Sequence, residues 1–249
     1  LPLGGSPKGC DNVNFTNCSL PLGSENISTT TLAECLFLSA DSEPSLLAAA
    51  FYLQSINHKS DLLQTFGPDK KTTLILAAKK GYKNIVKAIL DNKYCDKEIL
   101  NQQDKDGNTA LILAAGIGQI DTLKAILQSK HCDTELLNQQ NKNGNTALIL
   151  AAYKRHTDVL KAILERDHCD IETLNQQNKD GHTALILAAD NGHTDVLKAI
   201  VESEHCDKKV LNMAARYYEI IPWKWAIDCN RADIAHEILQ DQKYSAISM

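Results

Sequence analysis

Residues 131–152 read HCDTELLNQQNKNGNTALILAA, and residues 168–189 read HCDIETLNQQNKDGHTALILAA, a near copy displaced by 37 positions. The displacement holds beyond this pair. LNQQ begins at Leu100, Leu137 and Leu174, with LNMA following at Leu211, and TALILAA begins at Thr109, Thr146 and Thr183, with the variant TTLILAA at Thr72. A unit that recurs every 20–50 residues is too small to bury its apolar face alone, so it stacks on its neighbours as a quasi-one-dimensional solenoid.

The inside of one unit predicts its elements. Thr146 is a side-chain N-cap for an apolar helix over Ala147–Tyr153, whose small residues Ala147, Ala151 and Ala152 admit a neighbouring helix closely. Val159, Leu160, Ile163 and Leu164 fall on one stripe of a second helix, with Lys161 and Glu165 outside it, which makes a helical hairpin. DTELL and DIETL each start with an Asp that can cap a single helical turn and place a Glu where the helix dipole favours negative charge. NKNGN and NKDGH then supply turn chemistry, with Gly where φ must be positive.

These residues resemble the ankyrin repeat. Its D-x-x-G-x-T-P-L-H-x-A-A-x-x-G-H pattern is matched by NKDGHTALILAADNGH (178–193) and by DKDGNTALILAAGIGQ from Asp104. The resemblance implies an all-α solenoid of antiparallel helix pairs joined by protruding β-hairpin or turn fingers, with a partner bound on the concave side. The Pro and His of T-P-L-H are here Ala and Ile, and the unit is about four residues longer than the usual one, the excess lying in HCDTELL. A modified turn and an Ile-reliant core are the expected consequences.

About five repeats are expected over residues 67–242, the last a C-terminal cap in which Trp223 and Trp225 stand where Leu185 and Leu187 stand a unit earlier. Residues 28–66 read as a helical N-terminal cap or degenerate repeat, split by DSEP with Pro44 beginning its second helix. Residues 1–27, rich in Gly, Pro, Ser and Asn, are expected to be poorly ordered, and 243–249 form a tail. The start at Leu1 suggests a fragment without its native beginning.

Composition excludes some classes. The chain of 249 residues carries 26 basic and 31 acidic side chains, net −5, with no dominant run of either sign, so neither a nucleic-acid stripe nor a membrane-binding patch is expected. Its apolar runs are too short and Gly-broken to cross a bilayer core of about 30 Å.

Cys95, Cys132, Cys169 and Cys206 recur once per unit, three of them in an H-C-D triplet. Helix layers packed about 8–10 Å apart do not bring neighbouring rungs within the roughly 7 Å that a disulfide requires. The same spacing prevents one Cys and one His per unit from converging on zinc, and a nucleophile in triplicate contradicts the singleness of catalytic sites. Packing is the expected role, and four free thiols point to a reducing intracellular compartment, cytoplasm or nucleus. His131, His168 and His205 form a parallel ladder, read either as caps on helix-end carbonyls or as a source of modest pH sensitivity. Three N-x-S/T sequons, at Asn14, Asn17 and Asn26, fall in the Asn-rich beginning, where chance accounts for them.

Function is expected where similar units differ. The residue after the turn Gly is Lys71, Asn108, Asn145 or His182, and the end of the first helix is Lys79 and Lys80, Gly116 and Ile117, Tyr153, Lys154 and Arg155, or Asp190 and Asn191. The ankyrin resemblance implies that both sets border the concave groove. Ile117 and Tyr153 fall on adjacent layers flanked by Lys80, Lys154 and Arg155, the aromatic-plus-Arg chemistry of binding hot spots. Arg155 occupies the position of Gly81, Gly118 and Gly192, so a left-handed backbone there would cost about 1 kcal/mol. Tyr217 and Tyr218, at an expected finger tip, complete the candidates.

No P-loop, G-x-S-x-G, H-E-x-x-H, C-x-x-C or dinucleotide fingerprint is present, and no cofactor or metal is expected. The expected function is a non-catalytic, monomeric protein-binding module, the near-identical units resembling in style the ankyrin effectors that intracellular bacteria deliver to host cytosol. The alternative is the targeting array of a larger enzyme whose catalytic domain lies outside this chain.

Overall fold

The computed structural model describes residues 56–66 and 68–215. Repetition of one chemical solution organises them. In each unit a Thr ends the extended approach, and its hydroxyl accepts the amide of the third residue onward: Thr72 from Ile75 at 3.3 Å, Thr109 from Ile112 at 3.2 Å, Thr146 from Ile149 at 3.2 Å and Thr183 from Ile186 at 3.3 Å. These caps are buried, and each satisfies an amide the first helical turn would leave orphaned.

The described elements begin with α1 (Lys59–Leu63) and the two-residue strands β1 (Thr65–Phe66) and β2 (Lys71–Thr72), which pair antiparallel. Three-helix units follow. The leading helices are α2 (Thr73–Lys80), α5 (Ala110–Ile117), α8 (Ala147–Tyr153) and α11 (Ala184–Asp190). The second helices are α3 (Lys83–Leu90), α6 (Ile120–Leu127), α9 (Thr157–Leu164) and α12 (Thr194–Val201). Short connector helices close the units: α4 (Lys97–Leu100), α7 (Thr134–Asn138), α10 (Ile171–Asn175) and the longer α13 (Lys208–Ala215).

Leading helices stack on leading helices and second helices on second helices, unit after unit. Ala77, Ala78, Ala114, Ala115, Ala151 and Ala152 are fully buried, and their lack of bulk is what lets the leading helices approach. Leu74, Leu111, Leu148 and Leu185 share that seam, and one continuous apolar cluster runs from Ile56 to Leu211. The Ile that replaces His in each T-A-L-I sequence is buried in this core, at Ile112, Ile149 and Ile186.

The connectors are capped as their Asp residues predict. Asp96 accepts from the Ile99 amide, Asp133 from Leu136, Asp170 from Thr173 and Asp207 from Val210, at 2.8–3.3 Å. The helix α1 stands one unit earlier, DLLQ (61–64) being in register with EILN (98–101), but Asp61 inside its first turn closes it by accepting from the His58 amide at 3.0 Å.

Only the first finger carries paired strands among the described residues; the next three are turns. Each turn is closed by an Asx side chain. Asn141 Oδ1 accepts from the amides of Asn143 at 2.9 Å and Asn145 at 3.0 Å, and Asp104 and Asn178 do the same in their fingers. Fingers then join: the amides of Lys105, Lys142 and Lys179 donate to the carbonyls of Asp69, Asp106 and Asn143 in the preceding finger. Gly144 is required twice over, because φ is +76° and a Cβ there would stand 2.7 Å from the Lys179 nitrogen.

The expected segments 1–27 and 243–249, the N-terminal helices before residue 56, the C-terminal cap with Trp223 and Trp225, and the sequons lie outside the described residues.

Candidate protein-binding surface

The leading helices all end on one side of the stack, and their last turns hold most of the predicted contact residues. Ile117 closes α5 and Tyr153 closes α8, two helices packed directly together. At 43% and 45% exposure they are the exposed large apolar side chains among the described residues. Lys154 follows Tyr153, and its Nζ sits 4.8 Å from the centre of the tyrosine ring, a cation–π contact. Lys79 and Lys80 end α2, and Asp190 ends α11. In register with Tyr153 and Lys79 stands Gly116, so the α5 layer has no side chain between them.

Arg155 occupies the left-handed site its register predicts. Its φ is +59°, beside +79°, +85° and +65° at Gly81, Gly118 and Gly192. The side chain is not a free anchor, however, because Nε lies 3.0 Å from Asp195 Oδ1 in the next unit. The Thr157 hydroxyl donates to the other oxygen of Asp195 at 2.6 Å. Thr157 foremost, with the backbone amide of Asp195 and then Arg155 behind it, holds the Asp195 carboxyl below its ordinary value.

The residues after the turn position are differently employed. Lys71 is buried, with Nζ 2.5 Å from Asp69, and is withdrawn from any contact surface. Lys105 binds the other oxygen of Asp69, and these two cations, Lys105 first, pull the Asp69 carboxyl down to about 2. Asn108 Nδ2 donates to Asp104 while its Oδ1 accepts from Asn141 at 2.9 Å, and Asn145 Oδ1 accepts from Asn178 at 3.3 Å. Asn108 and Asn145 are thus staples between fingers, and half-buried His182 ends the same row. Asn191 turns back on its own helix, Nδ2 donating to the Leu187 carbonyl at 2.7 Å. Tyr217 and Tyr218 lie outside the described residues.

One ladder and one departure from a glycine row, both missed in the sequence, were written there. Gln103 donates to Gln139 Oε1 and the Gln140 carbonyl, and Gln140 repeats this with Gln176 and Gln177, which explains the repeated QQ. Lys70 is exposed at φ +54°, in register with Gly107, Gly144 and Gly181.

Cys95, Cys132, Cys169 and Cys206 are free and buried, as packing requires. Burial pushes the thiols of Cys95 and Cys132 up to about 11 and that of Cys169 up to about 12. The carbonyl-capping expectation for the histidine ladder is not met: Nε2 of His131 and of His205 is buried without a hydrogen-bond partner, His205 standing 3.6 Å from Glu204, and His168 is exposed. The Oδ1 atoms of Asn101, Asn138 and Asn175 are likewise buried with no hydrogen-bond partner among the described residues, one per unit. Histidines do meet carbonyls elsewhere, for His193 Nδ1 lies 3.0 Å from the Ala152 oxygen in the preceding unit.

Among the described residues no cluster of His, Cys, Asp and Glu could hold a metal ion, and no helix is long and apolar enough to cross a membrane. Hollows of about 470 and 410 Å³ lie between second helices, one lined by Lys87, Leu90 and Ala125, the other by Lys161, Leu164 and Ala199. They occupy equivalent registers away from Ile117 and Tyr153, and we read them as the seam between stacked units.

Fold and surface together define a solenoid of helical hairpins with turn fingers. The family profile described as ankyrin repeats, three copies, matches residues 36–138 and 130–212, and the chain belongs to that family. No curated protein matches the chain. Ankyrin repeats are in general protein–protein interaction modules.

Proposed function

We propose that the chain is a non-catalytic binding module that holds one partner protein on the concave side, across the last turns of its leading helices. The observation that carries this reading is the pairing of Ile117 and Tyr153, exposed apolar side chains on adjacent helices, where the other large apolar groups among the described residues are buried or half-buried. An exposed apolar pair rimmed by cations is the composition of a hot spot, because apolar burial supplies the affinity and the rim excludes water. Lys79, Lys154 and Arg155 form that rim, Arg155 through its aliphatic stem while its head holds Asp195.

The test is a pull-down comparing the chain with its Ile117→Ala/Tyr153→Ala variant, followed by calorimetry with the purified partner. A partner bound by the former and lost by the latter, at equal folded stability, supports the reading; equal retention overturns it. The same surface would serve a host-directed effector or the targeting array of a larger enzyme, and the parent open reading frame separates those two contexts.

A further inference from the structure

The leading-helix ends have a charge order along the stack. Lys79 stands at the end of α2, the apolar pair with Lys154 over the next two units, and Asp190 at the end of α11. Lys79, Lys154 and Asp190 are all exposed, and none is engaged in an ion pair with a described residue. Nearby cations are already spent: Lys71 and Lys105 on Asp69, Arg155 on Asp195. The fingers alongside carry both signs, Lys70, Lys142 and Lys179 against Asp106 and Asp180, and set no direction. The field along the helix ends therefore runs from positive at α2 to negative at α11, in a chain whose net charge is −5.

At Gly116 the α5 layer presents no side chain between Lys79 and Tyr153. A Cβ added at Gly116 would press on the Leu150 side chain, 3.1 Å from its Cδ1, so filling the gap requires that methyl to shift by a few tenths of an ångström. The result is a notch with Ile117 and Tyr153 beside it and an uncommitted ammonium one unit away.

Resting on the proposed function above, we infer that this surface selects an extended acidic segment carrying one large apolar residue, with a carboxylate about three residues from that anchor. Layers about 8–10 Å apart and a rise of about 3.3 Å per extended residue set the separation. The apolar residue fills the notch, the carboxylate meets Lys79, and Asp190 repels a segment laid in the opposite direction. Charge here sets direction and partner choice more than affinity.

The experiment is selection from a random 12-residue peptide display library on the full chain and on its Ile117→Ala/Tyr153→Ala variant, both checked for equal urea midpoints. Selected peptides are then titrated by fluorescence anisotropy. The expected winners carry an acidic residue three positions from a large apolar one, are lost on the variant, and bind Lys79→Glu about three- to tenfold more weakly. Winners lost on the variant but neutral or basic, or indifferent to Lys79→Glu, overturn the acidic inference and leave the binding surface standing. No enrichment, or winners the variant retains, overturns both.

Discussion

Arg155 reaches from a left-handed backbone at φ +59° to place Nε 3.0 Å from Asp195 Oδ1, so one residue both strains its own unit and ties it to the next. The strain is worth about 1 kcal/mol relative to Gly, whereas an exposed ion pair contributes about 0–1 kcal/mol. Arg155→Gly should therefore leave the urea unfolding free energy within about 0.5 kcal/mol of the parent, and Arg155→Ala should lie about 1 kcal/mol below Arg155→Gly. If both variants lose the same amount, the backbone strain is not real.

Lys70 offers the same geometry with no ion pair to a described residue: φ +54° and an exposed side chain. Lys70→Gly should raise stability by about 1 kcal/mol, read as a higher urea midpoint at unchanged slope. A loss would show that the finger is held by something the backbone angle does not report.

Gly144 and Gly192 separate backbone angle from crowding. Both have positive φ, but a Cβ at Gly144 would sit 2.7 Å from the Lys179 nitrogen whereas one at Gly192 meets nothing within 4 Å. Gly192→Ala should cost about 1 kcal/mol, and Gly144→Ala clearly more, about 2–3 kcal/mol, because the finger-to-finger hydrogen bond must also move. Equal losses would mean that the fingers yield freely.

The buried thiols make stability fall at alkaline pH. Their folded pKa values, about 11 for Cys95 and Cys132 and about 12 for Cys169, exceed the ordinary 9.0, so the unfolded chain sheds protons that the folded chain retains. Their contribution is whole below about pH 9 and declines as pH rises through the folded values near 11. Urea midpoints at pH 7.5, 9 and 10.5 should show that decline, and Cys132→Ala should make it shallower. In a variant whose other cysteines, Cys10, Cys18, Cys35 and Cys229, are replaced by Ser, the four buried thiols should also react with a disulfide reagent at pH 8 only as fast as the array opens. Immediate reaction would place them at the surface.

The period, the Thr and Asp caps, the positive φ at Gly and the alternation of helix lengths were legible because each is a local rule repeated at one spacing. Arg155 was legible as a departure from that rule. Lys70 carried the same signal, but one finger earlier, where the turn motif is too altered to draw the eye. Lys71, Asn108 and Asn145 read as free contact residues because variation along a sequence does not say where a side chain is spent. Their partners are Asp69 and Asp104 within the same finger and Asn141 and Asn178 in the next one, and only stacking brings fingers together.

The sequence by itself determined the unit and its caps, since a helix start or a tight turn is decided by residues within four positions of one another. Only the tertiary structure decided which variable residues remain available. It tied Arg155 to Asp195 across 40 positions and left Ile117 and Tyr153 exposed, because exposure is settled by the packing of successive units rather than by any one of them.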